Sequence, residues 1–564
     1  MNRQEQLEEI LRRIDHRGYP AYKDTRGAYD FGSYILRIVH VQGDPFAAPS
    51  SLEIEVKAET AGFPSEMFQE KHRRTALEDF LLRRFSRAAA RLSDHSGSGK
   101  SGKVTCMRCG QEVLERSACT VQADGAVTVR FSVGFPARGR TIQSRPLIRL
   151  LFQDMPEVVR ETLRFASADK KKLGKVLDLA DDRQFIRQQL EPMGLVAFIA
   201  DGSVLARESG VSQKPMKDAV PMKSPDSLAL ELTLPHRGKI RGMGIRKGVT
   251  LICGGGYHGK STFLKALEQG IYPHIEGDGR ELAVTEDTAV KLRAEDGRNI
   301  CSTDISMFIG SLPDGRDTTC FSTADASGST SQAAAAAEAI EAGAHTFLID
   351  EDTSATNFMV RDELMQRVIH RNQEPITPFI ERIRQLYDSL GISTVIVAGS
   401  SGAFFHAADT VIQMDRYVPF DITRKAHAAA AEERRPRIAE GPLYPPSFQR
   451  IPQPRKDLRY KGRVKIRTSG MDGFSLNHED VDLRYLEQLV DPGQVFALGK
   501  ITAYLMERRF DGKHTMREVL EAFRKELSEK GFSAFCDQIP EEAAMPRVQE
   551  IYSCLNRCRL LKMK

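Results

Sequence analysis

The stretch GVTLICGGGYHGKSTFLKALEQ, residues 248–269, decides the fold. Its first part is apolar and β-branched, as a buried strand requires, and its last part has the composition of a helix. Between them Gly254, Gly255, Gly256, Tyr257, His258, Gly259, Lys260 and Ser261 fit the spacing GxxxxGK[ST]. Glycines there let backbone N–H groups converge on one anion, and the helix that follows points its N-terminus at the same charge. Lys260 is placed to neutralise the β- and γ-phosphates of a nucleotide, and Ser261 to ligate Mg²⁺, with Thr262 opening the helix. A second GKS lies in SGSGKSGK, residues 96–103, but Asp94 stands where the leading glycine belongs and no apolar strand precedes it. It reads as a mobile basic loop whose Lys100 and Lys103 are candidates for contact with a polyanion backbone.

A phosphate loop needs an acidic partner, and HTFLIDEDTSATNFM, residues 345–359, supplies it. Asp350 ends an apolar strand and can hold Mg²⁺. Glu351 follows and can orient or polarise an attacking water. Upstream, DASGSTSQAAAAAEAIEAGA places Ser327, Gly328 and Ser329 at the start of an Ala-rich helix, where small residues and free N–H groups form an anion site. Asp304, in STDISMF, is a further candidate for the metal or its water.

These segments resemble a family. DEDTSATN is similar to the stretch of ABC ATPases in which Walker B runs into the D-loop, and ASGSTSQ is similar to the signature motif. The chain resembles the soluble "predicted ATPase of the ABC class" proteins, an atypical branch without transmembrane partners. The strings that carry this include YPAYKDTRGAYDF, HVQGDPFAAPS, SGSGKSGK, GFPARGR, ADGSVLARESGVSQKPM, GMGIRKGVTLICGGGYHGKSTFLKALEQ, LIDEDTSATNFM, VIVAGSSGAFF, ADTVIQMD and VDLRYLEQLVDPGQ. The resemblance implies an α/β protein with an ABC-type P-loop NTPase core, flanked by an α+β N-terminal domain and a largely helical C-terminal domain. It implies ATP and Mg²⁺ as ligands, two ATP sites formed across a homodimer, and RNA as a partner. From composition we expect an N-terminal domain over 1–226, the ATPase core over 227–423, and a basic segment with the helical domain over 424–564.

Two departures from ordinary ABC ATPases stand out. The switch histidine's place, upstream of Ala408–Asp409, falls at Gly399 or Ser400, so γ-phosphate sensing passes to Ser400, Ser401 or backbone N–H groups. No aromatic stands at the usual adenine-stacking spacing before the P-loop. Adenine recognition is unassigned and GTP stays open.

The flanking regions are less specific. Residues 424–467 are rich in Lys and Arg, and RKDLRYKGRVKIR alternates basic with apolar residues. As a strand it would carry Arg463, Lys465 and Arg467 on one face and, with Arg434, Arg435 and Arg437, track a phosphate backbone. The Arg-rich helix expected around 73–91 adds to that reading. Tyr460 alone offers a stacking surface, so base-specific reading is not expected. In HVQGDPFAAPS, Gln42, Asp44 and Pro45 read as a structural corner. Cys106-Met-Arg-Cys109 has no matching pair and reads as two free thiols.

Composition bounds the rest. The 564 residues are 41% hydrophobic and 28% charged, with a net charge of +5, which permits a polyanion partner without demanding one. No run of about 18 apolar residues occurs. MNRQEQLEEILRRIDHRGY reads as a charged amphipathic helix with no apolar signal core. Nine scattered cysteines fit a reducing compartment, so we expect a cytoplasmic protein without membrane contact. Two cycles stay open: an ATP-hydrolysing dimer that closes around a polyanion, or a nucleotide-gated protein scaffold with slow or no turnover. A transporter subunit and a small-molecule kinase are weaker alternatives.

Overall fold

The structure is a computed structural model, and it describes residues 2–94, 97–369, 373–433, 435–436, 438–439, 441–459 and 464–564. The chain divides into two compact units, one of Met1–Asp181 with Cys536–Met545, the other of Asp182–Phe535 with Pro546–Lys564.

The first unit is built on a mixed sheet in the order Asn2–Arg3, Gly27–Asp30, Ile35–His40, Ser50–Val56, Val127–Val133, Val104–Thr105, with Cys119–Val121 also paired to Val127–Val133. Ser50–Val56 alternates buried and half-buried positions, the pattern of a strand covered on one face. The helix Lys71–Ala90 packs Leu77, Leu81 and Phe85 into this unit's core.

The arginines of that helix mostly serve the fold. Arg73 pairs with Asp181 at 2.5 Å, Arg83 with Asp79 at 2.5 Å, and Arg84 donates to the carbonyls of Thr162 and Ser167. They are therefore not the free basic row that the sequence suggests. Asp79 lies one turn away on the same helix, but Asp181, Thr162 and Ser167 lie far along the chain, where local patterning cannot find them.

The same helix buries Glu78, which accepts a hydrogen bond from Val121 N at 2.8 Å. Burial is the main cause that pushes its carboxyl up from 4.5 to about 8. A carboxyl held neutral contributes stability that is whole below pH 4.5 and is lost as pH rises through about 8. Glu78→Gln keeps the acceptor and removes the ionisation. The variant is expected to be more stable than wild type at pH 8.5, by on the order of a few kcal/mol, and to lose the advantage near pH 5. Thermal melts across pH 5–9 check this.

The SGSGKSGK loop is not a free tether. Ser98 N donates to Ala137 O at 2.9 Å, Lys100 N to Pro45 O at 2.9 Å, and Gly102 N to Gly134 O at 2.8 Å. A Cβ at Gly102, where φ is +70°, would stand 1.9 Å from Asp94 O, and one at Gly134 would stand 1.8 Å from Lys100 O. The loop is thus pinned on the HVQGDPFAAPS corner, with Lys100 and Lys103 left exposed. In that corner Asp44 accepts from Phe46 N and Arg140 Nε at 3.0 Å each, and Gln42 is buried. Cys106 is packed against the core, and burial pushes its thiol up, away from thiolate chemistry.

The second unit holds two sheets. One is antiparallel, in the order Ala229–Leu234, Gly238–Arg246, Leu195–Ala200, Ala283–Thr285. The other runs Val290–Leu292, Thr346–Asp350, Ser393–Val397, Val249–Cys253, Thr410–Asp415, Val418–Asp421, parallel except for the last pair. Parallel strands buried on both faces read as continuous apolar runs, as TFLID and VTLIC do. Helices Lys260–Gln269, Gly328–Glu341 and Phe379–Leu390 connect them.

Toward the C-terminus a three-stranded sheet, Ile466–Thr468, Gly473–Leu476 and Glu479–Asp482, precedes helices Pro492–Tyr504, Met516–Lys530 and Val548–Arg557. Asp491 and Thr515 cap the first two by accepting from Gly493 N and Glu518 N. Among the described residues no helix is long and apolar enough to cross a membrane.

Part of the basic segment is structural here too. Arg450 is 5% exposed, pairs with Glu341, and donates to Asn556 Oδ1 at 2.9 Å and Cys301 O at 3.1 Å. Removing it leaves Glu341 buried and unpaired, a loss of about 3–5 kcal/mol. Arg450→Ala is expected to lower the unfolding free energy of this unit by that amount and so to shift its urea midpoint down, read by urea titration.

Candidate active site

The sheet order explains which side chains meet. The strand Ser393–Val397 lies between the P-loop strand and the strand that ends in Asp350. In register, Ile252 faces Val397 on one side, and Asp350 faces Val397 on the other. The chain that leaves Val397 as Ala398-Gly399-Ser400-Ser401 therefore runs between the P-loop and Glu351.

Glu351 is held by that segment. Gly399 N donates to Glu351 Oε2 at 2.7 Å, Ser400 N to the same oxygen at 3.1 Å, and Ser400 Oγ to Oε1. A Cβ at Gly399 would stand 3.7 Å from Lys260 Nζ, so the cation and the carboxylate flank the same two residues. Lys260 Nζ donates to Gly254 O and Gly255 O at 2.8 Å each, folded into the mouth of its own loop. Gly259 has φ +95° and begins the helix Lys260–Gln269, with Phe263 N bonded to Gly259 O at 2.9 Å.

Asp350 is 6% exposed at the end of its strand. Burial is the first cause that raises its carboxyl above the ordinary 3.8, with Lys291 opposing. Its Oδ1 accepts from Asp352 N at 3.2 Å, while its carbonyl accepts from Ser354 Oγ at 2.8 Å. Ser261 is exposed at the first turn of the P-loop helix. A hydroxyl and a carboxylate are both hard oxygen donors, a set that suits Mg²⁺. Asp304 is committed elsewhere. Its Oδ1 accepts from Ser306 N at 3.0 Å and Ser306 Oγ at 2.6 Å, and its Oδ2 from Ser447 N at 2.7 Å. Both oxygens cap loops, so the metal role expected of Asp304 finds no support in the geometry.

Ser327 precedes the helix Gly328–Glu341 and is exposed. Its Oγ lies 2.9 Å from Thr330 Oγ1 and 3.5 Å from Ser329 Oγ. Ser329 is 8% exposed, so Ser327 and the first N–H groups form the accessible part of the motif. A Cβ at Gly328 would stand 3.3 Å from Asp296 Oδ1 and 3.6 Å from Ala355 Cβ. Sequence reasoning missed Gln332 here. It is fully buried, donates to Ser354 Oγ at 2.9 Å and accepts from Ala355 N at 3.0 Å. It fastens the Ala-rich helix to the segment after Glu351, and the signal, a Gln among alanines, lay in plain view.

His258 and Tyr257 belong to the P-loop, and here too the structure adds partners. His258 Nδ1 lies 2.9 Å from Asp415 Oδ1 and 3.1 Å from Arg416 N. Tyr257 has φ +63° and is 99% exposed.

The nucleic-acid candidates fall in both units. Lys465 and Arg467 are exposed at the strand Ile466–Thr468 in the second unit, and Lys100 and Lys103 are exposed in the first. Arg463, Arg434, Arg437 and Tyr460 lie outside the described residues. Of the remaining basic segment, Arg455 pairs with Asp457 at 2.7 Å and Arg459 with Glu507 at 2.9 Å.

The P-loop strand and the strand that ends in Asp350, with one strand between them, both lie in a segment that a family model covers. A family model described as the P-loop domain of the ABC ATPases matches residues 169–444, and one described as "ATPase of the ABC class N-terminal" matches residues 4–166. The chain belongs to the ATPases of the ABC class. A third model, the MRB1590 C-terminal domain, matches residues 465–564. This ABC-class chain is 30% identical over 274 residues to the uncharacterized protein MJ1628 of Methanocaldococcus jannaschii, covering 45% of the present chain and 60% of that relative's length. A solved structure, cbiO1 of Clostridium perfringens, part of the ABC transporter complex cbiONQ, matches at 15% identity with a TM-score of 0.26. That alignment covers 42% of this chain and 92% of cbiO1.

Proposed function

We propose that this ABC-class chain binds and hydrolyses ATP as a homodimer and that closure of the dimer grips a polyanion, RNA. The observation that carries the reading is the Gly399–Ser400 segment, which holds Glu351 beside Lys260. Lys260 and the loop N–H groups cradle the triphosphate, and Thr262 adds its hydroxyl at the first turn. Glu351 takes the proton of the attacking water. Ser400 Oγ holds that carboxylate in line and stands where a switch histidine would sense the γ-phosphate. Ser261 and Asp350 are the residues to hold Mg²⁺, which when bound neutralises charge developing on the phosphates. Ser327 and its helix start, exposed in one copy, cap the nucleotide held by the second copy. We assign the core to 227–423, the flanking domains to 1–226 and 424–564, and the protein to the cytoplasm, a setting consistent with its nine free cysteines.

The polyanion reading is supported by the exposure of Lys100, Lys103, Lys465 and Arg467. Phosphate release measured with and without single-stranded RNA tests it. A rate changed by RNA and restored by high salt supports closure around RNA, because counterion release makes such contacts salt-sensitive. A rate indifferent to RNA, with Lys465→Glu/Arg467→Glu behaving as wild type, rejects it. The hydroxyl of Ser400 in the histidine's place favours a second reading, a nucleotide-gated scaffold with slow turnover. ATP-dependent dimers without phosphate release would establish that one.

A further inference from the structure

An exposed aromatic, Tyr417, stands beside the P-loop on the side away from Glu351. The strand Thr410–Asp415 pairs with the P-loop strand, with Gln413 opposite Cys253, and turns back into Val418–Asp421. Asp415 pairs with Val418, so the turn has two central residues, Arg416 and Tyr417, at φ +46° and +71°. Two-residue turns of this kind favour Asn-Gly, because both positions need positive φ. This chain places a guanidinium and a phenol there instead, and leaves the phenol 54% exposed. An exposed tyrosine in a strained backbone gains little from folding, so its surface is available for a ligand.

The turn is fixed on the P-loop. Tyr417 N donates to His258 O at 3.2 Å, and His258 Nδ1 lies 2.9 Å from Asp415 Oδ1. A Cβ at Gly259 would stand 3.1 Å from Tyr417 Cδ1, so the ring edge lies over the residue before Lys260. Direction follows from the sheet. Glu351 and the Gly399–Ser400 segment lie on the side of Ser393–Val397, and the terminal phosphate belongs there. The nucleoside end of the same molecule must then leave toward Thr410–Asp415, on which Tyr417 stands.

We propose that Tyr417 is the stacking platform for the base of the bound nucleoside triphosphate, in place of an aromatic upstream of the P-loop. The proposal rests on the nucleotide-binding reading above. A ring stack is tolerant of base identity, because every base presents a π-face.

Titration of the full-length protein with ATP and with inorganic tripolyphosphate, which has no base, tests it. Tyr417→Asn is the informative variant, since Asn tolerates positive φ and lacks the ring. Its Kd for ATP is expected to rise about tenfold, the size of one base–aromatic stack. Its Kd for tripolyphosphate should not move, and Tyr417→Phe should bind ATP like wild type. Equal ATP affinity in Tyr417→Asn and wild type overturns the stacking role while leaving nucleotide binding intact. Equal losses for ATP and tripolyphosphate also overturn it, since they mark a distorted P-loop. Wild type that binds neither ligand removes the reading on which the proposal stands.

Discussion

Lys260→Ala is expected to abolish nucleotide binding at ordinary concentrations, with Kd for Mg·ATP raised at least about a hundredfold. The side chain holds its charge at the loop mouth through two carbonyl contacts of 2.8 Å, to Gly254 and Gly255. A triphosphate exchanges those carbonyls for its own oxygens. Without the ammonium it meets the same carbonyl dipoles with no compensating charge, in a loop whose glycines bring backbone close to the ligand. The side chain is half-buried, so its loss leaves no large cavity, and the melting temperature of the apo protein should stay within a few degrees of wild type. Calorimetric titration beside a thermal melt separates lost binding from lost fold.

Glu351→Gln is expected to keep ATP affinity and lose turnover. The amide oxygen still accepts from Gly399 N and Ser400 N, so the side chain stays in its present place. Only the capacity to take a proton disappears, which corresponds to a fall of about 10²–10⁴ in phosphate release. Single-turnover measurements with saturating ATP read this directly. A variant that hydrolyses ATP at the wild-type rate would remove Glu351 from the reaction and leave Ser400 or a water chain as the acceptor.

The parts of this protein written locally were legible in the sequence. A strand, a glycine run, Lys-Ser and a helix form a contiguous unit, and so does an apolar strand closed by Asp350-Glu351. The fold class followed from them. What pairs across the chain was not legible. Ser393–Val397 enters the sheet between the two motif strands, and only that insertion brings Ser400 to Glu351. Basic residues misled for the same reason. Arg73 and Arg450 look like surface charge until Asp181 and Glu341, both distant in sequence, are brought beside them. Asp304 misled in the opposite direction, since its interval in the motif order suggested a metal ligand while its oxygens cap Ser306 and Ser447. Tyr417 lies downstream of the P-loop, where a search upstream for an adenine partner does not look.

In the proposed homodimer two copies close on ATP, each covering with its Ser327 helix the nucleotide held by the other's Lys260. The most direct measurement is the solution mass of Glu351→Gln by light scattering, with Mg·ATP and without nucleotide. A monomer's mass without nucleotide and twice that mass with ATP are expected, the gain being lost in the Lys260→Ala/Glu351→Gln double variant. A monomer's mass at saturating ATP, with binding confirmed by titration, would contradict it.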